Sequence, residues 1–358
     1  MVVQICCAVD SSYFFRELKK LTNEPIIGYF YDPNIHPYSE FLLRFMEVKR
    51  DCKKLGIKVY AGEYDFNDWL NGAKGLENEP EKGKRCQYCF DFRMSETAEF
   101  AKKIGENKIS TTLLMSPKKS HLQLVDSLKK ICDEQNLEFI APDFRKNGGT
   151  NAQFALARDL KVYHQNYCGC IYALCAQRKE SEIFELMSPV NRQILPNSIE
   201  DKIRLYRKIS KLEKKGVKFE ILRDKFINYR LLSFVIKFDG IAQNSVVLFN
   251  SHFKLNFVKF MIPDKCHKFF SDKEQIKILN FKEFCKISNV KLKNFDEFAA
   301  CPLSVKKELK IRKKIVGASS FSPIIIVDKI PRSKCEISAN SKIYIDIREI
   351  LVRKIYQK

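Results

Sequence analysis

Over the first 141 residues, short runs rich in β-branched and aromatic side chains alternate with segments of helical period, and few folds accommodate that alternation. Residues 2–7, 25–31, 57–60, 108–115 and 137–141 read as strands. Residues 12–21, 38–55, 86–104 and 121–136 read as helices. In segment 38–55 the apolar residues Phe41, Leu42, Phe45, Val48, Cys52 and Leu55 recur at helical spacing until Gly56 stops the helix. A βαβα order of this kind predicts an α/β fold, a Rossmann-like, mainly parallel sheet with helices on both faces. In such sheets ligands bind beyond the carboxyl ends of the strands.

Charge divides the chain. The formal net charge is +21, yet residues 1–200 carry 28 Lys and Arg against 27 Asp and Glu, whereas residues 201–358 carry 36 against 16. Two domains are expected at this length, residues 1–195 and residues 196–358. The second begins with a basic helix over 200–213 and continues in β-rich runs at 231–238, 245–249, 254–261, 323–327 and 342–347. It reads as a smaller, basic α+β domain. So large a single-sign charge attracts polyanions, nucleic acid first among them. The bland reading is a solvated lysine-rich surface; the near-neutral first part argues against a bias common to the whole chain. No membrane association is expected, because no stretch approaches the roughly 18 apolar residues of a span. The opening Met1-Val2-Val3-Gln4 lacks the basic n-region of a signal peptide, so a cytoplasmic protein is expected.

Thiols stay reduced in that compartment, and clustered cysteines there mean metal or redox chemistry more often than disulfides. Of 13 cysteines, six form three tight pairs: Cys6-Cys7, Cys86-x-x-Cys89 and Cys168-Gly169-Cys170. Three pairs supply more sulfur than one tetrahedral zinc needs, which points to an iron–sulfur centre with room for a second metal. Cys6 and Cys7 fall at the carboxyl end of the first expected strand. Cys86 and Cys89 open a helix, whose positive end favours thiolate. The other seven cysteines are scattered singly, with Cys175 near the third pair.

Further strings in the first half resemble a known family. They run Cys6-Cys7-Ala8-x-Asp10, Tyr31-x-Pro33-Asn34-Ile35-His36-Pro37-Tyr38-Ser39-Glu40, Gly62-Glu63-Tyr64-Asp65, and Arg85-Cys86-x-x-Cys89. Ser110-Thr111-Thr112-Leu113-Leu114-x-Ser116-Pro117, Asp143-Phe144-Arg145-Lys146 and Tyr163-x-Gln165-x-Tyr167-Cys168-Gly169-Cys170 follow in order. Together they resemble the cobalamin-independent epoxyqueuosine reductases, the QueH family, over about residues 1–180. Val9 departs from the family, which often has proline there. The basic part from about residue 195 lies outside the resemblance and is a larger extension than the family leads one to expect. The resemblance implies a tRNA bearing epoxyqueuosine as substrate, reduced by two electrons and two protons to queuosine and water. It also implies a [4Fe-4S] cluster, an additional iron ion as an option, and an electron donor that the sequence does not identify.

Candidate roles follow. Four of Cys6, Cys7, Cys86, Cys89, Cys168 and Cys170 can hold a cluster, or three can hold it and leave one iron open. The others, with Asp10, can bind a second iron. Asp10 is equally placed to protonate the departing oxygen, or merely to cap a helix before Ser11-Ser12. Tyr31, Tyr38, Tyr163 and Tyr167 can stack on a base or be core tyrosines. Asn34 and His36 lie in a Pro-bounded loop at the ligand edge, and Gln165 belongs to the last string. Ser110, Thr111 and Thr112 end a strand at that edge, and Arg145 with Lys146 offers charge to phosphate. Two other functions remain open from the residues alone. One is a tRNA sulfur-transfer or nucleotide-activating enzyme, which the glycine-free Cys6–Ser11 turn disfavours. The other is a zinc-stapled RNA-binding protein, which the Cys-Cys and Cys-Gly-Cys spacings disfavour.

Overall fold

The computed structural model describes residues 1–177, 186–189, 193–273 and 275–353. The chain divides into two compact units, Met1–Glu180 with Tyr206–Lys218, and Ser181–Leu205 with Phe219–Lys358.

In the first unit β1 (Val2–Ile5), β2 (Ile27–Phe30), β3 (Lys58–Ala61), β4 (Lys108–Thr111) and β5 (Glu138–Phe139) form one sheet in the order β3-β2-β1-β4-β5. Every neighbouring pair is parallel. Side chains alternate between the two faces as strand geometry requires. Val3, Ile5 and Phe30 pack with Phe14 and Leu18 of α1 (Ala8–Leu21) and with Phe41 and Val48 of α2 (Tyr38–Lys54). Val2, Tyr29, Tyr31 and Ile109 turn the other way, onto Met94 and Ala98 of α4 (Lys84–Lys103) and Leu128 and Ile131 of α5 (His121–Gln135). A sheet covered on both faces explains why its strands read as continuous apolar runs. The expected α/β class is thus the observed one. The strand expected over 108–115 ends at Thr111, whose hydroxyl accepts the Leu113 N–H at 3.1 Å and starts a 3-10 helix, Thr112–Met115. Three shorter helices complete the unit: α3 (Phe66–Gly72), α6 (Gly149–Asp159) and α7 (Ile171–Gln177). Helix α8 (Ile199–Lys214) follows in the chain.

The second unit contains two four-stranded sheets. One joins β8 (Ser245–Val247), β10 (Phe269–Ser271), β11 (Lys277–Asn280) and β12 (Ile324–Val327) in the order β10-β11-β12-β8. The other orders β7 (Ile241–Gln243), β6 (Phe219–Phe238), β13 (Ser333–Arg353) and β9 (Phe257–Ile262) as β7-β6-β13-β9. On β12, Ile325 and Val327 meet Ile236 and Ile337 of the second sheet, while Ile324 and Ile326 meet helices. Those helices are α9 (Phe281–Ser288), α10 (Phe295–Ala300) and α11 (Val305–Val316), which contribute Phe284, Phe298 and Ile311. Sequence patterning caught only 231–238 of β6 and 342–347 of β13, because most of that long ribbon pairs with a single partner and keeps polar residues on both faces. Among the described residues no helix is long and apolar enough to cross a membrane.

Candidate metal centre

The strand order reverses between β1 and β4, and the crevice beyond their carboxyl ends is the ligand position of such a sheet. Cys6 and Cys7 leave β1 at that point. The Cys6 N–H donates to Thr112 Oγ1 at 3.1 Å, tying the two strand ends together. Cys7 is extended, and its Sγ accepts the Asp10 N–H at 3.5 Å, so Cys7 caps α1. The helix therefore starts at Ala8 and Asp10 lies inside its first turn. The capping role that the sequence offered Asp10 falls to Cys7 instead. Asp10 Oδ2 sits 3.1 Å from Cys6 Sγ, and Oδ1 accepts from Gln153 Nε2 at 2.5 Å. Hydrogen bonding to Cys7 and burial push the Cys6 thiol well up, and burial pushes the Asp10 carboxyl up despite the donors around it.

The other four paired cysteines meet elsewhere. Cys86 and Cys89 in the first turns of α4 and Cys168 and Cys170 just before α7 line one cavity of about 20 Å³, walled by Trp69, Phe90 and Ala173. Gly169 between the last pair takes φ +110°, and a Cβ there would meet Ile35 Cγ1 at 2.8 Å, so the Cys-Gly-Cys bend needs its glycine. Arg44, buried, holds this loop by donating to the carbonyls of Tyr167 and Cys168 at 3.0 Å each, while its Nε pairs with Glu40 at 2.8 Å.

Positive charge surrounds the sulfurs. Lys119, 7% exposed, places Nζ 3.4 Å from Cys168 Sγ. Burial alone would raise the Cys168 thiol, but Lys119 and Arg44 outweigh it and hold the thiol below its ordinary value. Burial raises Cys170 and takes Cys89 to about 12. Arg93, one turn after Cys89, pairs with buried Asp32 and feels the charges of Cys89, Cys6 and Cys168. The two sulfur sites are thus electrostatic neighbours. Burial pushes Asp32 up, against the pull of Arg93 and Arg44.

Which metals suit these sites follows from spacing. Among the described residues, the only group of three or more ligand atoms within 4.8 Å of one another is Cys6, Cys7 and Asp10. Thiolates bound at about 2.3 Å around one zinc stand roughly 3.8 Å apart. No three of Cys86, Cys89, Cys168 and Cys170 gather within 4.8 Å of one another, whereas Cys6, Cys7 and Asp10 do.

The remaining predicted residues take varied positions. Tyr31, Tyr163 and Tyr167 are buried, with hydroxyls donated to Asp65 at 2.9 Å, Glu40 at 3.0 Å and the His36 carbonyl at 2.7 Å. Tyr38 is exposed at the start of α2. The His36 ring stacks on Phe66, and its backbone N–H donates to Gly169 at 2.9 Å. Asn34 Oδ1 and Gln165 Oε1 are buried without a hydrogen-bond partner. The Ser110 hydroxyl donates to the Ile140 carbonyl at 2.6 Å, and Thr111 Oγ1 donates to Gln4 at 2.8 Å. Arg145 is bound to Asp143 and to the Ser116 and Lys119 carbonyls, and Lys146 is exposed. Sequence reasoning missed Lys119, Arg44, Arg93, Asp32 and Gln153. Arg93 carried a signal, since 86, 89 and 93 share one helical face; the others are joined to the cysteines only by the fold.

The family model for epoxyqueuosine reductase QueH matches residues 1–176. An epoxyqueuosine reductase QueH of Helicobacter pylori is 36% identical over 346 residues, 92% of this chain and 94% of that protein. The extension that the motif strings did not reach is therefore shared with that relative. Proteins of the same description from Haemophilus influenzae and Thermotoga maritima are 34% and 32% identical, each over 51% of this chain and over 74% and 95% of their own. With the family model matched over residues 1–176 and 36% identity to such a relative along 92% of its length, the chain belongs to the QueH family of epoxyqueuosine reductases.

Proposed function

We propose that Cys86, Cys89, Cys168 and Cys170 hold a [4Fe-4S] cluster, that Cys6, Cys7 and Asp10 hold an additional iron ion, and that the chain uses both to reduce epoxyqueuosine in tRNA to queuosine in the cytoplasm. The observation that carries this reading is the contrast between four sulfurs spread around one cavity and a compact trio beside them. When bound, the cluster supplies electrons one at a time and the iron supplies a Lewis acid for the epoxide oxygen. In the net reaction both carbon–oxygen bonds of the epoxide break, a carbon–carbon double bond forms, and two electrons from an external donor and two protons turn the oxygen into water.

The protein's own groups prepare that reaction. Asp10 is the one carboxylate of the iron trio, and Gln153 fixes its orientation by donating to Oδ1. Lys119, Arg93 and Arg44 offset the charge of several thiolates in a buried site. Asn34 and Gln165, with unpartnered buried oxygens, and exposed Tyr38 are the groups we assign to substrate contact. His36, Ser110, Thr111 and Thr112 shape the crevice edge. Tyr31, Tyr163 and Tyr167 hold its walls. Lys146 and the basic second unit meet tRNA phosphates, Arg145 anchoring the loop that carries Lys146.

Protein purified without oxygen should contain iron and sulfide at cluster stoichiometry, show an EPR signal on reduction, and convert epoxyqueuosine tRNA. Zinc alone, without sulfide after attempted reconstitution, would overturn the assignment.

A further inference from the structure

A second cleft, far larger than the metal cavity, lies wholly within the second unit and has no part in the reaction described above. Its volume is about 640 Å³, and it is lined by the loop from Val316 to Pro323 together with His252, Lys254 and Gln275. Three aromatic rings form a column beside it. Tyr229, buried, stacks on His252 at 5.4 Å and 22°, and His252 stacks on Phe321 at 4.5 Å and 5°. The column ends on Phe321, which is 46% exposed. The His252 backbone N–H donates to the Phe321 carbonyl at 2.9 Å, and buried Arg312 donates to Ser251 Oγ and the Ser322 carbonyl, so hydrogen bonds tie both ends of the platform loop.

Polar groups flank the platform in a chain. Ser320 Oγ donates to Ser322 Oγ at 2.9 Å, which donates to Gln275 Oε1 at 3.2 Å. Gln275 Nε2 makes no hydrogen bond among the described residues, leaving a donor at the cleft. The cleft also abuts the C-terminal end of α11, capped at Gly317, where the helix dipole presents negative charge. That end repels a phosphate inside the cleft, while exposed Lys254 in the lining attracts one. A flat aromatic surface, an amide donor, hydroxyls and the lysine Lys254 together match a nucleotide with its base turned inward.

We infer that this cleft takes an unstacked base of single-stranded RNA, stacked on Phe321, with its phosphate on Lys254. The inference rests on the tRNA-binding reading above and makes the second unit a reader of an unpaired nucleotide as well as a charged surface.

Phe321→Trp supplies the test, because the chain's sole tryptophan, Trp69, is buried in the first unit. Titrated with a short single-stranded oligoribonucleotide, the new indole should be quenched saturably; the duplex of the same sequence should not quench it. Phe321→Ala should weaken oligonucleotide binding about 5- to 150-fold while iron content stays unchanged, and Phe321→Trp should retain affinity. Unchanged affinity in the alanine variant, or no quenching, overturns the inference. Quenching by a nucleoside monophosphate as effective as by the strand would overturn single-stranded RNA as the ligand. Oligonucleotide quenching in a protein that fails to bind tRNA would instead sink the tRNA docking of the second unit and leave the cleft standing.

Discussion

Arg44 is the residue outside the proposed ligand set whose loss should most disturb the loop that carries Cys168. It is 3% exposed and pairs with Glu40, which is fully buried, while its other nitrogens hold the carbonyls of Tyr167 and Cys168. Arg44→Met keeps the aliphatic stem and removes the charge. Glu40 is then a buried carboxylate with the Tyr163 hydroxyl as its remaining bonded partner, and an uncompensated buried charge costs roughly 3–5 kcal/mol. Two released carbonyls add about 1 kcal/mol each, for a total of roughly 5–7 kcal/mol against a domain stability of about 5–15. The double variant Glu40→Gln with Arg44→Met removes both charges and should recover most of that loss, because replacing a whole buried pair is nearly neutral. Urea unfolding of the metal-free protein, followed by Trp69 fluorescence, reads the first unit directly. A single-variant cost below about 1 kcal/mol, or a double variant no more stable than the single, would refute the charge-pair reasoning.

Four further outcomes are expected. Asp10→Asn should abolish turnover, and Gln153→Leu should lower kcat about 10- to 100-fold at nearly constant KM; full activity in either removes that residue from the mechanism. Burial raises the Glu308 carboxyl on α11 to about 8, against about 4.3 in an unfolded chain. Between those values the native state holds a proton the unfolded state has released, so stability falls by roughly 1.4 kcal/mol per pH unit as pH rises. Glu308→Gln should flatten that slope in amide exchange at Ile324–Val327, and equal slopes in both proteins would discard the assignment. Finally, if six to ten phosphates are contacted, tRNA affinity should drop roughly 10³- to 10⁵-fold between 50 and 200 mM salt; a nearly flat salt response would show that the basic unit does not bind phosphate.

How legible each part was depended on the range of the interaction that created it. The sheet of the first unit could be read because apolar runs and helical periods are local consequences of burial on both faces, as in Tyr29, Phe30 and Tyr31, which face alternately. Helix α1 was read four residues late because its cap is Cys7, a poor capping residue by propensity that serves here through its sulfur. The ribbon of β6 and β13 was read in fragments, because two strands with solvent on both sides impose no strict alternation. The short helices α9 and α10, of 8 and 6 residues, are too brief for a periodic signal and form by packing on β12.

The six paired cysteines, the charge asymmetry and the α/β order are properties of residue type and spacing, and they give the fold class and the expectation of a metal without coordinates, while the motif strings of the first half carry the resemblance to the family. Partition of the sulfurs is of another kind. Cys7 and Cys86 are 79 positions apart, and nothing in their spacing says whether they share a metal. The turn from β1 into α1 gathers Cys6, Cys7 and Asp10 into one group, while packing of α4 against the loop before α7 gathers the other four. Lys119, Arg44 and Gln153 join them only because the chain, once folded, has excluded water there, and a buried thiolate or carboxylate without a partner costs more than the fold can bear.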